Sequence, residues 1–207
     1  MFVQAPVPGR VKLRLADEIG PSGAAEVHWQ IGRRIVAQIA ASGFRTTIWY
    51  RPAGESRFVR EWLDGLGRFD LRPQPPGRLG DRLARAFARH FVEGARRAVM
   101  IGTDCPGIDR RLVAEAFTAL AAADVVLGPT GTGGCYLVAL REPQPQLLRG
   151  LEAASPALGS AFLQQLNRRA AAARLHVRLL RPLRPVYTAT DARLAGLLES
   201  RPSLDRN

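Results

Sequence analysis

Segments with the patterns of strands and of helices alternate along the whole sequence, and this alternation limits the fold more than any other feature. Short apolar runs typical of strands occupy residues 1–3, 44–50, 69–71, 98–101, 124–127, 135–140 and 175–180. Apolar residues recur with helical spacing over residues 22–41, 56–63, 79–91, 110–120 and 159–172, and a last helix is capped by Thr190 or Asp191. Such strand–helix–strand units join by right-handed crossovers. The alternation therefore predicts an α/β fold of three α/β/α layers with a mainly parallel central sheet.

Length and apolar content predict one domain spanning residues 1–207. With 207 residues, of which 46% are hydrophobic, the chain can bury a core without disulfides. No apolar run reaches the roughly 18 residues of a membrane-spanning helix, and the first residues lack the pattern of a signal peptide. The two cysteines are typical of a reducing compartment. We therefore expect a cytoplasmic protein with no membrane partner.

The net charge of +12 raises the question of nucleic-acid binding. Almost all of the positive charge is arginine, and it is spread over every segment. On the predicted helix 79–91, Arg82, Arg85 and Arg89 lie opposite the apolar stripe, as on an ordinary solvated face. Aromatic residues do not alternate with basic ones as they do where bases stack. The pattern disfavours nucleic acid and is compatible with a small phosphate-bearing ligand.

Three loops rich in glycine, proline and polar residues follow predicted strands, at residues 5–15, 102–106 and 128–134. In a mainly parallel sheet, ligands bind beyond the carboxyl ends of the strands. We therefore expect the three loops to meet at one edge of the sheet and to form a binding site there.

The first loop reads APVPGRVKLRL and contains Arg10, Lys12 and Arg14 at alternating positions. In an extended chain, alternation puts the three cations on one face. Such a face suits a diphosphate or triphosphate. An exposed basic edge strand, protected by its charges from aggregation, explains the pattern equally well.

The other two loops contain a carboxylate and a cluster of glycines. Asp104 follows an apolar strand, where it can bind Mg²⁺ or Mn²⁺ or can simply cap backbone amides. The third loop, GPTGTGGCYL, has four glycines within seven residues, including Gly133 and Gly134. These permit close approach of the backbone to a ligand, and they are also typical of a tight hairpin.

The segments APVPGRVKLRL, RLGDRLARAF, VMIGTDCPGI and DVVLGPTGTGGCYLVAL, in this order, resemble a known family. They are similar to the bacterial glycosyltransferases linked to arsenosugar biosynthesis, also called radical-SAM-associated transferases. That family resembles the nucleotide-diphospho-sugar transferase superfamily, which has a GT-A fold. It is also similar to guanylyltransferases of cofactor biosynthesis. The resemblance covers residues 2–198.

The resemblance implies a nucleotide-binding and metal-binding transferase with Asp104 as the catalytic and metal-binding residue. It implies that Arg10, Lys12 and Arg14 hold phosphates and that Mg²⁺ or Mn²⁺ is the cofactor. It further assigns substrate-binding positions to Gly80 and Asp81, which with Arg82 match the family's Gly–acid–Arg segment. It assigns the same role to the glycine pair with its aromatic neighbour, which are Gly133, Gly134 and Tyr136.

Several positions depart from the family pattern. Gln4 stands where the family has lysine, Leu13 where it has threonine, and Thr132 where it has an acid. The family's acidic C-terminal segment corresponds to Tyr187–Thr190 here, which has no carboxylate, and its Trp-Ser-Thr segment is replaced by Ala153–Ser155. Asp104 is then the one carboxylate left at the expected metal site, and a single carboxylate seldom holds Mg²⁺ tightly. Asp191 is a candidate for a second acidic ligand.

Three functions remain open on these grounds. The first is a glycosyltransferase that uses a nucleotide sugar and a small-molecule acceptor. The second is a guanylyltransferase-like nucleotidyltransferase that uses a nucleoside triphosphate and releases pyrophosphate. The third is a non-catalytic descendant that binds a nucleotide, as the missing acids suggest.

Overall fold

The computed structural model describes residues 1–151 and 161–199, and seven strands and seven α-helices lie within them. The strands are β1 (Phe2–Gln4), β2 (Thr47–Arg51), β3 (Asp70–Pro73), β4 (Ala98–Ile101), β5 (Val125–Pro129), β6 (Cys135–Leu140) and β7 (Val177–Leu179). The helices are α1 (Leu13–Ala40), α2 (Ser56–Trp62), α3 (Leu79–Val92), α4 (Arg110–Ala119), α5 (Pro145–Leu148), α6 (Ala161–Ala172) and α7 (Ala189–Leu194).

The strands form two hydrogen-bonded sheets. The first has the order β1-β2-β3 and is parallel throughout. The second has the order β4-β6-β5-β7, in which β6 runs antiparallel to both neighbours and β5 pairs with β7 in parallel. The strands are therefore mainly parallel, as predicted, and β6 is the one reversed strand among the seven described, although they form two sheets rather than one.

Successive residues of each strand enter opposite cores, because side chains alternate across a strand. In β4, Met100 belongs to a core that contains Leu83, Phe87 and Leu166, whereas Ile101 belongs to a core that contains Ile31. The first core is covered by α3, α5 and α6, and the second by α1, α2, α4 and α7. Helices on both sides of the strands make the predicted three α/β/α layers.

Helix α1 begins nine residues before the predicted start at residue 22. The first part of the helix begins at Leu13 and is interrupted at Gly20, whose backbone has the non-helical angles φ 82° and ψ 159°. The helix resumes at Pro21. Proline is tolerated there because the backbone N–H that it lacks would have no intrahelical acceptor in a first turn. The Gly-Pro pair is thus an internal break, and the prediction that this helix begins at residue 22 was wrong.

The last helix begins slightly earlier than predicted. Thr188 is its N-cap, and its side chain accepts a hydrogen bond from the Asp191 amide. Asp191 is the third helical residue and completes a capping box with Thr188. Of the helices in the two described ranges, none has the length and apolar character needed to cross a membrane.

Candidate functional site

A cavity of about 500 Å³ lies at the carboxyl ends of the strands. The segments that follow β1, β3 and β4 contribute to its wall, together with Arg51, the last residue of β2. Five of its lining residues are cations, namely Arg10, Lys12, Arg14, Arg51 and Arg82, and Asp104 is its only carboxylate among the described residues. The lining also includes the polar and aromatic side chains of Gln4, His28, Gln74, Tyr136 and Tyr187. Such a charge balance favours an anionic ligand.

Lys12 joins the first loop to two distant parts of the chain. It takes the left-handed conformation, with φ 46°, at the residue before α1. Its Nζ lies 2.9 Å from Oδ1 of Asp104 and 2.9 Å from the carbonyl oxygen of Val186, and it donates a hydrogen bond to each. The Lys12 side chain is only 3% exposed. The ammonium group is therefore held in one place, with one of its three N–H donors available for another acceptor.

The Asp104 side chain is half-exposed and faces the cavity. Partial burial raises the pKa of its carboxyl group, but the charge and hydrogen bond of Lys12 outweigh this effect and hold the pKa below its ordinary value. Asp104 is therefore ionised at neutral pH. Oδ1 accepts the Lys12 hydrogen bond, and Oδ2 accepts none within the described ranges.

Arg10 and Arg14 also line the cavity, but not as part of an extended strand. The Arg10 amide bonds the Val7 carbonyl in a turn, and its guanidinium lies 3.8 Å from Glu55. Arg14 lies in the first turn of α1. The predicted alternating geometry was wrong, because a helix begins at Leu13. The three cations nevertheless reach one cavity, since a turn and a helix start place them around its rim.

The glycine-dense loop forms a tight hairpin between β5 and β6. The amide of Gly134 bonds Oγ1 of Thr130, and Gly133 has φ 84°. Gly134 lines a smaller adjoining cavity together with Asp104, Tyr136 and Tyr187, whereas Gly133 faces α6. Tyr136 lines both cavities, and its hydroxyl donates to the Arg181 carbonyl at 2.9 Å. The basic turn, Asp104 and the hairpin therefore meet around connected cavities.

Gly80 and Asp81 contact a neighbouring segment rather than the cavity. The Gly80 amide bonds the Leu151 carbonyl at 2.9 Å, and the Gly150 amide bonds Oδ1 of Asp81 at 2.9 Å. A Cβ on Gly80 would lie 2.0 Å from the Leu148 carbonyl oxygen. These contacts give both residues a structural role, which is to hold α3 against residues 148–151. A role of either residue in substrate binding stays a prediction.

The donor set next to Asp104 does not fit a resident divalent cation. Among the described residues, no group of three His, Cys, Asp or Glu side chains is placed to hold a metal. Lys12 already occupies one Asp104 oxygen. The carboxylate of Asp191 accepts from Arg184 and from the backbone and hydroxyl of Thr188, so it is committed to capping α7. The segment 153–155 lies outside the described residues.

Reasoning from the sequence missed Arg51 as a cavity residue, and it gave Arg82 two interpretations, a solvated face of the helix and part of the family's Gly–acid–Arg segment. Arg82 is half-buried and lines the cavity rather than a solvated face. Arg51 ends β2 beside it. Apart from that segment, their only signal in the sequence is position, since Arg51 follows a strand and Arg82 lies in the first turn of the helix after a sheet-edge loop. His28 also lines the cavity, where it is buried and donates a hydrogen bond to the Gln4 carbonyl at 3.0 Å.

A known family of bacterial proteins matches this sequence. The model of a family described as "Uncharacterized protein conserved in bacteria (DUF2064)" matches residues 35–155. No protein of curated function matches the sequence.

Solved structures share the fold over nearly the whole chain. A protein of Desulfovibrio desulfuricans G20, provisionally assigned as a nucleotide-diphospho-sugar transferase, is 27% identical, with a TM-score of 0.84 over 93% of this chain and 83% of that chain. CMP:2-keto-3-deoxy-manno-octonic acid synthetase complexed with CTP is 13% identical, with a TM-score of 0.55 over 95% of this chain and 96% of that chain. Inositol-1-phosphate CTP transferase from T. maritima is 11% identical, with a TM-score of 0.56 over 95% of this chain and 93% of that chain.

The first match confirms the predicted nucleotide-diphospho-sugar transferase fold. The two more distant structures show the fold alone. None of these proteins is described by a link to arsenosugars or radical-SAM enzymes, so that part of the resemblance stays a prediction.

Proposed function

The chain belongs to the DUF2064 family, and we propose that this member is a transferase that moves a sugar from a nucleoside diphosphate to a small acceptor. The observation that carries the proposal is the buried Lys12 ammonium, fixed by Asp104 in a cavity that five cations line. The fold shared with the protein of Desulfovibrio desulfuricans G20 that is provisionally assigned as a nucleotide-diphospho-sugar transferase supports the same substrate class.

In this proposal the donor diphosphate binds Arg10, Lys12 and Arg14. Transfer breaks the bond between the sugar's anomeric carbon and the diphosphate oxygen, and the electron pair leaves with the diphosphate. The negative charge that develops there is stabilised by cations already in position, which need little reorganisation during the reaction. Lys12 contributes most in this respect, because burial and two hydrogen bonds fix its Nζ.

Asp104 supplies the complementary function at the acceptor. Its ionised carboxylate faces the cavity, and Oδ2 can accept the proton that the acceptor hydroxyl loses as its oxygen bonds to the sugar carbon. The same residue positions Lys12. Loss of Asp104 should therefore affect both diphosphate binding and the transfer step.

The positive charge at the diphosphate comes from side chains in this account, and no step depends on a metal ion. The donor set beside Asp104 does not fit a resident Mg²⁺ or Mn²⁺ ion, because among the described residues no group of three acidic, His or Cys side chains is placed to hold a metal and Lys12 occupies Oδ1 of Asp104. Binding of either ion at Asp104 remains a prediction from the family resemblance, and metal titration tests it.

Nucleotidyl transfer is the second candidate. The distant structural neighbours named for CTP chemistry have this fold, and three cations around one rim also suit a triphosphate. In that reaction an acceptor oxygen attacks the α-phosphorus and pyrophosphate leaves. The same basic residues would then stabilise pyrophosphate.

A panel of nucleotide sugars and nucleoside triphosphates, screened by thermal shift with EDTA or Mn²⁺, tests the proposal. Binding of one donor raises the melting temperature according to its concentration relative to Kd. Incubation of the best ligand with candidate acceptors then separates the reactions, because glycosyl transfer releases a nucleoside diphosphate and nucleotidyl transfer releases pyrophosphate. Binding without turnover would favour the non-catalytic alternative. No shift with any member of the panel would contradict all three.

A further inference from the structure

We propose that Arg51 and Arg82 form a second anion-binding subsite of the cavity, which receives a phosphate or carboxylate group of the acceptor. The assignment to the acceptor rests on the proposed function, in which Lys12 and its neighbours hold the donor diphosphate. The acceptor would then be an acidic small molecule rather than a neutral one.

The two arginines occupy a different part of the cavity wall from Asp104. Arg51 is the last residue of β2 and pairs in register with Gln4 of β1, in the first sheet. Arg82 lies one turn into α3, next to the loop that follows β3. Asp104 follows β4, in the second sheet. Arg51 and Arg82 therefore line the side of the cavity formed by the first sheet, whereas Asp104 and the Lys12 ammonium bonded to it lie where β4 of the second sheet ends.

Each guanidinium is oriented by a neutral glutamine. Nη2 of Arg51 donates to Oε1 of Gln4 at 2.6 Å, while Nε2 of Gln4 donates to the Arg10 carbonyl. Nη1 of Arg82 donates to Oε1 of Gln74. Nε2 of Gln74 is itself fixed by the carbonyls of Val3 and Trp49 at 2.9 and 3.0 Å. The glutamines hold the arginines in place without neutralising their charge.

Within residues 1–151 and 161–199, no ion pair joins Arg51 or Arg82 to a carboxylate. Nε of Arg82 is buried and has no hydrogen-bond partner in the part of the chain that the structure describes. Burial and the nearby charge of Arg51 lower the pKa of Arg82, as expected when like charges share a site. Keeping these two like charges close together costs free energy in the ligand-free protein, and a bound anion would offset that cost in the complex.

The chemistry of the guanidinium group identifies the ligand class. Its planar fork matches the oxygens of a carboxylate or phosphate, and such charge-assisted bonds are stronger than those to a neutral acceptor. A neutral nucleobase edge would satisfy the free donors but would leave both charges uncompensated. We therefore assign the subsite to an oxyanion.

Binding of inorganic phosphate, followed by calorimetry and ³¹P NMR, tests the subsite in the full chain. The variants are Arg82→Gln, Arg51→Gln and Lys12→Gln, with Arg82→Lys to retain charge while removing the fork. Arg85→Gln is the matched control, because Arg85 lies on the same helix but does not line the cavity. We expect wild type to bind phosphate at two sites. Arg82→Gln and Arg51→Gln should each weaken one of them at least tenfold, Lys12→Gln should weaken the other, and Arg85→Gln should weaken neither.

The melting temperature of the ligand-free variants provides a second readout. If Arg82 is held against repulsion for a ligand, Arg82→Gln should unfold at the same temperature as wild type or higher. A marked loss of stability would instead show a structural role and overturn the proposal. Unchanged phosphate affinity in both Arg51→Gln and Arg82→Gln would also overturn it. In that case the proposed function would survive if Lys12→Gln still weakened nucleotide binding, and would fail separately if it did not.

Discussion

The Nζ of Lys12 lies 2.9 Å from Oδ1 of Asp104, although 92 residues separate the two in the sequence. The carbonyl of Val186 accepts a second hydrogen bond from the same ammonium, and the Val186 amide bonds the Asp104 carbonyl at 2.9 Å. The first loop, the end of β4 and the segment before α7 are thus joined at one point. This junction fixes a cation in the cavity wall before any ligand binds.

The Lys12–Asp104 pair should make stability depend on pH in one direction. Since the pKa of folded Asp104 is below its ordinary value of 3.8, the pair contributes stability above that value and loses it as the pH falls through the lower folded pKa. In urea unfolding, the difference between wild type and Asp104→Asn should be constant from neutral pH to about pH 5 and then shrink in stronger acid. A difference independent of pH would contradict the ionised pair.

Gly80 should tolerate no side chain. A Cβ there would lie 2.0 Å from the Leu148 carbonyl oxygen and 2.8 Å from the Leu151 amide nitrogen. Gly80→Ala should therefore lower the free energy of unfolding by roughly 1–3 kcal/mol or more, as overpacking does. Gly54→Ala is the control, because a Cβ at Gly54 meets nothing within 4 Å. Equal stability of the two variants in chemical denaturation would refute the close contact between α3 and the Leu148–Leu151 segment.

Asp191 should matter for stability and not for metal binding. Its carboxylate accepts hydrogen bonds from Arg184, from the Tyr187 amide and from both the amide and hydroxyl of Thr188. Asp191→Asn weakens these charge-assisted bonds and should cost about 1–3 kcal/mol of unfolding free energy. Thr188→Ala, which removes the cap, should cost about 1 kcal/mol. If Asp191→Asn instead abolished an effect of Mn²⁺ on nucleotide binding, the capping assignment would be incomplete.

The elements whose limits followed from the sequence are those with strong local signals. The runs 98–101 and 135–140 are apolar and are bounded by glycine, charge or turn residues, and β4 and β6 occupy those positions. The start of α1 was missed because Gly20 and Pro21 give the signal of a helix boundary, and only packing shows that the helix resumes beyond them. The local spacing of apolar residues does not show that a helix continues beyond such a break.

Part of the candidate site could also be predicted from the sequence. Strand ends meet at a sheet edge, so a shared cavity for the basic loop and Asp104 follows from topology. The carbonyl of Val186 could not be foreseen, because a backbone acceptor carries no residue signature. Arg82 follows the amphipathic pattern of α3, and that pattern does not distinguish a solvated face from a cavity wall.

Titration calorimetry of the best nucleotide ligand in EDTA, with wild type and Lys12→Gln, tests the central claim most directly. The account predicts that wild type binds without metal and that Lys12→Gln binds at least tenfold more weakly, while exposed Arg57→Gln binds as wild type does. Binding that appears only with Mg²⁺ or Mn²⁺, or that Lys12→Gln leaves unchanged, would contradict the account.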